Sequence, residues 1–193
     1  MIPQEPNHHF EGYHFTHDGP SSLFKSHIDR LLPGKVLVPD DHKAKNSLYA
    51  ASHGWDTYTF HVDDAVLSDV SKEVKSHQWD FHLSIGGYAS SEYETESMDM
   101  IAFIDADIPT YARHSYFHSL LKSLKKGGLA LVETYHTDNN SPHIQPEHRM
   151  NEEMLEHLFR GFSSVVIRKI DEDASLSSGQ PAHVYKIQLI AIK

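Results

Sequence analysis

The sequence contains no cysteine among its 193 residues. Disulfide bonds, thiolate metal sites and cysteine nucleophiles are therefore excluded together. It also lacks a run of about 18 uninterrupted apolar residues, the minimum for a membrane-spanning helix. Residues 1–5 show no positively charged segment followed by an apolar one, so no secretory signal is visible. We expect a soluble, cytoplasmic protein with no membrane partner.

Basic residues are scarce. Lys and Arg total 17 against 27 Asp and Glu, which gives a formal charge of −10, and no basic run is longer than Lys125-Lys126. Nucleic-acid binding depends on clustered cations that neutralise phosphates, so we expect no nucleic-acid partner. The oligomeric state is left open, because an edge strand that could pair with a second copy is not visible in a sequence.

Histidine is abundant, with 17 residues, as many as Lys and Arg together. Zinc accepts imidazole and carboxylate ligands when three or four converge. The candidate ligands form two groups, His8, His9, His14 and His17 near the N-terminus and His61, Asp63 and Asp64 further along. Their spacing matches neither a zinc finger nor a His-Glu-x-x-His helix. Scattered surface histidines are the simpler interpretation, no metal site is predicted, and a metal-binding protein is the weakest of three hypotheses.

Apolar residues alternate between helix and strand spacing from residue 21 onward. Helical spacing covers residues 21–32, 46–53, 64–76, 110–126 and 154–159. Strand-like runs cover residues 36–38, 57–62, 79–85, 100–104, 129–135, 165–170 and 184–192. The fourth helix is predicted to end at two lysines followed by two glycines, and a Ser- and Asp-rich loop is predicted between the last two strands.

This alternation predicts an α/β fold. Strands separated by helices form a mainly parallel sheet with helices on both faces. The last two strands have no helix between them, so they should form an antiparallel pair at one edge. We predict one domain over residues 1–193, with a loop-rich arm at 1–20 and an α/β core at 21–193.

Ligands of an open parallel sheet bind beyond the carboxyl ends of its strands. Four turns therefore form the predicted cleft, at residues 39–46, 61–64, 85–88 and 105–109. The first turn contains Asp40 and Asp41 but no glycine. A bare backbone is what allows a phosphate to approach a helix N-terminus. A nucleotide phosphate is thus disfavoured here, and a cationic or zwitterionic ligand is favoured.

Residues 36–57, which begin Val36-Leu37-Val38-Pro39-Asp40-Asp41, resemble the first motif of class I S-adenosylmethionine-dependent methyltransferases. The similarity is greatest to the small bacterial tellurite-resistance and thiopurine-type enzymes. Residues 98–104 resemble the fourth-strand motif of that family, and residues 124–135 its helix-to-fifth-strand motif. The resemblance covers nearly the whole chain. It implies a single-domain, Rossmann-like methyltransferase fold with a mainly parallel seven-stranded sheet and an antiparallel C-terminal strand pair.

The resemblance also implies S-adenosylmethionine as cofactor and a small-molecule substrate as methyl acceptor. The cofactor-binding residues it implies are Tyr13, Asp40, Asp41, His42, Ala44, Asn46, His61, Asp63, Gly86, Gly87 and Asp105. Tyr13 would belong to a lid, and residues 136–148 would form a wall on the substrate side. The catalytic candidates are Asp105, Asp107 and Tyr135, with Glu133 and His136 nearby.

Some positions depart from the family pattern. His42 and Ala44 stand at two loop glycines, and His61 stands where an acidic residue would bind both ribose hydroxyls. A neutral imidazole has one donor and one acceptor, so it cannot accept both hydroxyl bonds. Two hypotheses follow, an active small-molecule methyltransferase and an inactive methyltransferase-fold protein with a binding or regulatory role. Asp105 and Asp107 could instead belong to a helix-capping turn, and Glu133 could be a strand residue satisfied by its neighbours.

Overall fold

The computed structural model describes residues 19–60, 62–84, 93–106, 108, 110–140, 144, 148–175 and 181–193. Its helices are α1 (Ser22–Ile28), α2 (Lys45–Ser52), α3 (Asp64–His77), α4 (Arg113–Lys122) and α5 (Glu152–Leu158). Its strands are β1 (Lys35–Val38), β2 (Asp56–Phe60), β3 (Phe81–Ser84), β4 (Met98–Ile104), β5 (Leu124–His136), β6 (Arg149–Met150), β7 (Ser164–Ser175) and β8 (Pro181–Ile192). Within the described ranges, no helix is both long enough and apolar enough to cross a membrane.

The strands form one sheet in the order β3-β2-β1-β4-β5-β8-β7, and the short β6 pairs separately with β5. Strands β1 to β5 pair in parallel with one another. Strand β8 is antiparallel to both β5 and β7. The predicted fold class, a mainly parallel sheet with an antiparallel C-terminal pair, is confirmed. The two-residue β6 is an addition that the sequence pattern did not predict.

Strand alternation divides the core between the two faces of the sheet. On β4, Ile101 and Phe103 pack towards α4 and α5, where the rings of Phe103 and Phe117 lie 4.2 Å apart. Met100 and Ala102 pack on the opposite face, against α1 and α2. Because both faces of β4 are buried, the strand is apolar at nearly every position rather than at alternate ones.

The fourth helix is shorter than predicted. α4 ends at Lys122, and the carbonyl of Ser123 accepts a hydrogen bond from the N–H of Met98 at 2.8 Å. This bond starts the pairing of β4 with β5, so the lysine-glycine segment belongs to the strand. The prediction that Lys125 helps to close the helix was wrong, because its ammonium group lies 2.7 Å from Oδ1 of Asp99 on β4.

The first helix also ends early. The buried side chains of α1 are Leu23, Phe24 and Ile28, and the helix ends at the last of these. Apolar spacing continues beyond it, but the side chain of Leu32 is exposed, with a relative accessibility of 91%. Periodicity alone therefore does not mark the end of this helix.

The predicted loop between the last two strands is largely strand. β7 continues to Ser175, so Asp171 and Glu172 lie opposite Tyr185 and Val184 of β8. Aspartate and serine are uncommon in strands. Here the pairing with β8 outweighs that local preference.

Candidate functional site

The strand order reverses between β1 and β4, the place where open α/β sheets bind ligands. The two strands pair in parallel, with Leu37 opposite Ile101. The loop after β1 and the turn after β4 therefore leave the sheet side by side. Two groups of polar side chains lie at this end of the sheet, one in the loop after β1 and one behind the ends of β4 and β5.

Asp41 holds the start of α2. Its Oδ2 accepts hydrogen bonds from the N–H of Ser47 at 2.7 Å and from the Ser47 hydroxyl at 2.6 Å. Its Oδ1 accepts from the amide of Asn46 at 3.3 Å. Burial raises the pKa of Asp41 although these bonds favour its charged form. Asp41 thus caps a helix whose N-cap residue, Ala44, provides no side-chain bond, and its role towards a cofactor stays a prediction.

The loop contains two left-handed residues without a glycine. Asp40 has a φ of 59° and Ala44 a φ of 53°, a region that L-residues rarely adopt. The resemblance implies a glycine at the position of Ala44, and the backbone there has a left-handed conformation that glycine adopts readily. Its methyl group is fully buried and packs with Val62 and Val70.

His42 joins two carboxylates across the loop. Its Nδ1 lies 3.2 Å from Oδ1 of Asp63, and its Nε2 lies 3.5 Å from Oδ1 of Asp40. The backbone N–H of Asp63 also donates to the His42 carbonyl at 2.8 Å. The His42 imidazole thus lies between two carboxylates, of which Asp63 is the more exposed.

The second group surrounds Lys186 on β8, whose side chain is almost completely buried. Its ammonium nitrogen lies 3.1 Å from Asp105 Oδ2, 3.4 Å from Glu133 Oε1 and 3.9 Å from Glu172 Oε2. Burial opposes the charge of Lys186, but the carboxylates of Asp105 and Glu133 raise its pKa above the usual range. We call these four residues with Tyr135 the Lys186 cluster. Three carboxylates around one ammonium group make it net negative.

Tyr135 and Asp105 differ in what they offer a ligand. The Tyr135 ring lies 5.7 Å from the Lys186 ammonium, and burial together with the Asp105 carboxylate raises the Tyr135 pKa far above its ordinary value. The phenol therefore stays protonated and acts as a donor rather than as a base. Asp105 follows β4 in a left-handed turn, and its side chain is the most exposed of the charged groups in the cluster.

The structure brings most of the predicted site residues into these two groups. The loop group contains Asp40, Asp41, His42, Ala44, Asn46 and Asp63, and the Lys186 cluster contains Asp105 and Tyr135. Tyr13, His61, Gly86, Gly87 and Asp107 lie outside the described residues, as does most of the predicted lid and much of the 136–148 wall. The roles proposed for all of these residues stay predictions.

His136 lies apart from both groups. Its Nδ1 accepts a hydrogen bond from the N–H of Asp138 at 3.0 Å, and its Nε2 lies 3.1 Å from Oε2 of Glu152. Because Nδ1 is an acceptor, the ring proton is on Nε2 and is donated to Glu152. The imidazole is buried and joins β5 to α5.

Sequence reasoning missed Lys186 and Glu172. Lys186 Nζ and Glu133 Oε1 are 3.4 Å apart but 53 positions apart in the chain, so no local motif contains both. The one available signal was a lysine within the mainly apolar run from Val184 to Ile192. Charged residues are rarely fully buried unless they are paired, so such a lysine points to acidic partners.

The metal hypothesis gains no support from the described part of the chain. There, no three His, Asp or Glu side chains are arranged to hold a metal ion. His8, His9, His14, His17 and His61 lie outside the described residues, so this finding does not extend to them.

No family model matches the sequence, and no curated protein matches it. Solved structures do match its fold. TehB from Haemophilus influenzae superposes with a TM-score of 0.73 at 14% identity, over 90% of this chain and 62% of that one. A protein from Methanosarcina mazei, described as an S-adenosylmethionine-dependent methyltransferase, gives a TM-score of 0.63 at 12% identity, over 86% of this chain and 95% of that one.

A third similar structure is phosphoethanolamine N-methyltransferase 2 from Haemonchus contortus in complex with S-adenosyl-L-methionine. Its TM-score is 0.64 at 14% identity, over 86% of this chain and 50% of that one. Such identities establish the fold alone. The chain has the class I methyltransferase fold that the sequence motifs predict.

Proposed function

We propose that the chain binds S-adenosylmethionine at the carboxyl ends of β1 and β4 and transfers its methyl group to a small molecule held beside the Lys186 cluster. The observation that carries this proposal is the position of Asp105. It follows β4 at the point where the strand order reverses, and its carboxylate is both tied to a buried lysine and partly exposed. Its neighbours Lys186 and Tyr135 have raised pKa values, and perturbed ionisable groups in such a position are typical of functional sites.

The acidic groups at the loop after β1 and at the start of α3 fit the charge of the cofactor. S-adenosylmethionine carries a sulfonium cation and an ammonium group, and the carboxylates of Asp40 and Asp63 favour positive charge nearby. Asp63 can also accept a hydrogen bond from a ribose hydroxyl. When bound, the cofactor supplies an electrophilic methyl group. The imidazole of His42 has to leave its position between the two carboxylates if both are to face the ligand.

The Lys186 cluster suits a neutral or cationic acceptor. Its excess negative charge repels an anionic one. Asp105 is the group that can take a proton from the acceptor nucleophile, because it is exposed and carries a carboxylate. Lys186 positions Asp105 and Glu133, and Tyr135 supplies a hydroxyl donor.

One observation favours a second function, that of an inactive binding or regulatory protein. The loop is closed by side chains of its own, since His42 bridges Asp40 and Asp63 and the Ala44 methyl group fills a buried site. A protein with this loop can keep the methyltransferase fold without binding the cofactor.

Calorimetry with S-adenosylmethionine and S-adenosylhomocysteine distinguishes the two functions. The proposal expects binding by the natural sequence and weaker binding by Asp63→Asn. Asp69→Asn is the matched control, because Asp69 lies on α3, the helix that Asp63 precedes as N-cap, with its side chain 83% exposed. Binding only after His42→Gly and Ala44→Gly are combined supports the inactive protein. No binding by any of these proteins contradicts the methyltransferase, and it shows that His42 and Ala44 are not what keeps the cofactor out.

The acceptor step is tested separately with cofactor labelled in the methyl group and a panel of small neutral, cationic and anionic acceptors. We expect label transfer to neutral or cationic compounds. Asp105→Asn should retain cofactor affinity and lose transfer. Equal transfer by the variant would rule out Asp105 as the base.

A further inference from the structure

Strand β7 forms an open edge of the sheet. It is the last strand in the pairing order, and no described strand pairs with its outer side. The side chains of Val165 and Val166 point to opposite faces of the sheet. Both are nevertheless exposed, by 37% and 45%, so neither face covers this part of the strand. A twelve-residue open edge is a template for pairing with another strand.

The centre of β7 carries a symmetric charge pattern. Arg168 and Lys169 precede Ile170, and Asp171 and Glu172 follow it. The side chain of Arg168 is exposed and makes no hydrogen bond or ion pair with the described residues. Charged residues often protect edges from pairing. Here the two positive residues lie on one side of Ile170 and the two negative residues on the other. The edge is therefore complementary in charge to an antiparallel copy of itself.

Symmetry restricts the possible registers. A two-fold axis that joins two antiparallel edges into one sheet is perpendicular to the sheet, so each side chain stays on its own face. Residues directly opposite each other in an antiparallel pair point to the same face. The two-fold axis must therefore pass midway between one residue and the same residue of the partner, which lie opposite each other. An axis at Lys169 or at Asp171 places like charges opposite each other, which is unfavourable.

We propose that two copies of this chain pair antiparallel through β7 with the axis at Ile170, which extends the sheet across both copies. In this register Arg168 lies opposite the partner's Glu172, and Lys169 lies opposite the partner's Asp171. Each pair occurs twice in the dimer. Lys169 already forms an ion pair with Asp138. The new ion pair of the interface is therefore the one between Arg168 and the partner's Glu172.

The same register connects the interface to the Lys186 cluster. Ile170 lies opposite Lys186 in the β7–β8 pairing, so Arg168, Ile170 and Glu172 share the face that carries Lys186. Glu172 lies 3.9 Å from the Lys186 ammonium group. The partner's Arg168 therefore reaches the border of the cluster and offsets part of its negative charge. The dimer itself does not depend on the proposed function.

Charge reversal in the full chain tests the proposal by light scattering after gel filtration and by sedimentation equilibrium. We expect a dimer that weakens at high salt. Arg168→Glu places a carboxylate opposite the partner's Glu172 and should weaken association by at least about tenfold. Combining Arg168→Glu with Glu172→Arg should restore the dimer. Arg160→Glu makes the same charge change at an exposed site outside β7 and should leave the dimer intact.

A monomeric natural protein, or a dimer that resists Arg168→Glu, overturns the proposal. The register has an independent test that does not depend on charge. The chain has no cysteine, so Ile170→Cys introduces a single thiol. In the proposed register its Cα lies about 5 Å from that of the partner's copy, within reach of a disulfide.

Oxidation should therefore convert Ile170→Cys into a covalent dimer. The matched control is Val166→Cys, because the two copies of residue 166 are displaced by eight positions, or about 26 Å, along the strands. Cross-linking of the control as efficiently as Ile170→Cys, or failure of Ile170→Cys to cross-link, overturns the register.

Discussion

The ammonium group of Lys186 lies 3.1 Å from the carboxylate of Asp105, although the two residues are 81 positions apart in the chain. One belongs to an antiparallel strand and the other to the turn after a parallel one. Their contact joins the two parts of the mixed sheet at the carboxyl ends of its parallel strands. Glu133 on β5 completes the link, since it contacts Lys186 and accepts a hydrogen bond from Gln188 at 2.6 Å.

Lys186→Met should be strongly destabilising. The substitution leaves the buried Glu133 carboxylate without its cation, and the loss of one partner from a buried pair costs about 3–5 kcal/mol. Urea denaturation followed by circular dichroism measures the change in unfolding free energy. Lys186→Arg preserves the charge and should cost clearly less. Equal stability of the Met variant and the natural protein would show that the cluster is hydrated rather than buried.

Asp41→Ala and Asp41→Asn should have different effects on stability. The alanine variant removes the acceptor for Ser47 at the start of α2, which we expect to cost about 1–2 kcal/mol. The asparagine variant keeps a carbonyl acceptor and removes a buried charge, so near neutral pH it should be as stable as the natural protein or more so. Thermal and urea unfolding of both variants compare them directly.

The stability difference between Asp41→Asn and the natural protein should depend on pH, because the pKa of Asp41 is raised. A carboxyl group whose pKa is higher in the folded state destabilises that state as pH rises above its ordinary value of 3.8. The stability advantage of Asp41→Asn over the natural protein should therefore grow as pH increases from this value. An advantage that is constant with pH would mean that Asp41 is not buried as the structure shows.

Asp99 should show the opposite pH dependence. Its carboxylate accepts hydrogen bonds from the Lys35 N–H at 2.8 Å and from the Lys125 ammonium at 2.7 Å. Burial opposes the charge, but the bond to Lys125 prevails and lowers the pKa of Asp99. This contribution is complete above the ordinary pKa of 3.8 and is lost as pH falls through the lower folded value.

Asp99→Asn should accordingly lower the unfolding free energy by about 1 kcal/mol near neutral pH, a modest value because the carboxylate is partly exposed to solvent. The difference from the natural protein should disappear at acidic pH. Urea titrations across the acidic range test this. A difference that persists when the carboxylate is protonated would assign the effect to packing rather than to charge.

Gly34→Ala should destabilise the protein through Asp99. A Cβ atom at Gly34 would lie 2.6 Å from Oδ2 of Asp99, so the carboxylate would have to leave the N–H of Lys35. We expect a cost of about 1–2 kcal/mol. In an Asp99→Ala background the two nearest atoms are gone and only the Cβ remains, at 3.1 Å, so Gly34→Ala should cost less. Equal costs in both backgrounds would contradict this coupling.

Much of the fold was accessible from the sequence because burial leaves a regular pattern. Val36, Leu37 and Val38 form an apolar run since β1 is covered on both faces, and Val66, Val70 and Val74 follow the buried side of α3. The ends of elements were less accessible. The hydrogen bond from Met98 to Ser123 decides where α4 ends, and its two residues are far apart in the chain.

The candidate site also has a part that the sequence could predict and a part that it could not. Asp41, Asn46 and Ser47 lie within a few positions of one another, so a local motif could indicate the loop. The Lys186 cluster is assembled from four separate strands and turns. Its members were recognised only where they fell near the end of a parallel strand, as Asp105, Glu133 and Tyr135 do. Lys186 comes from a strand that runs the other way and carries no such signal.

The placement of β8 between β5 and β7 has a consequence for cooperativity. Among the described strands, β7 pairs only with β8, and β8 also carries Lys186, the cation of the Lys186 cluster. A change that loosens β8 therefore releases the outer strand and exposes the carboxylates in a single event. The structure of the Lys186 cluster and the attachment of the edge strand therefore depend on the same strand.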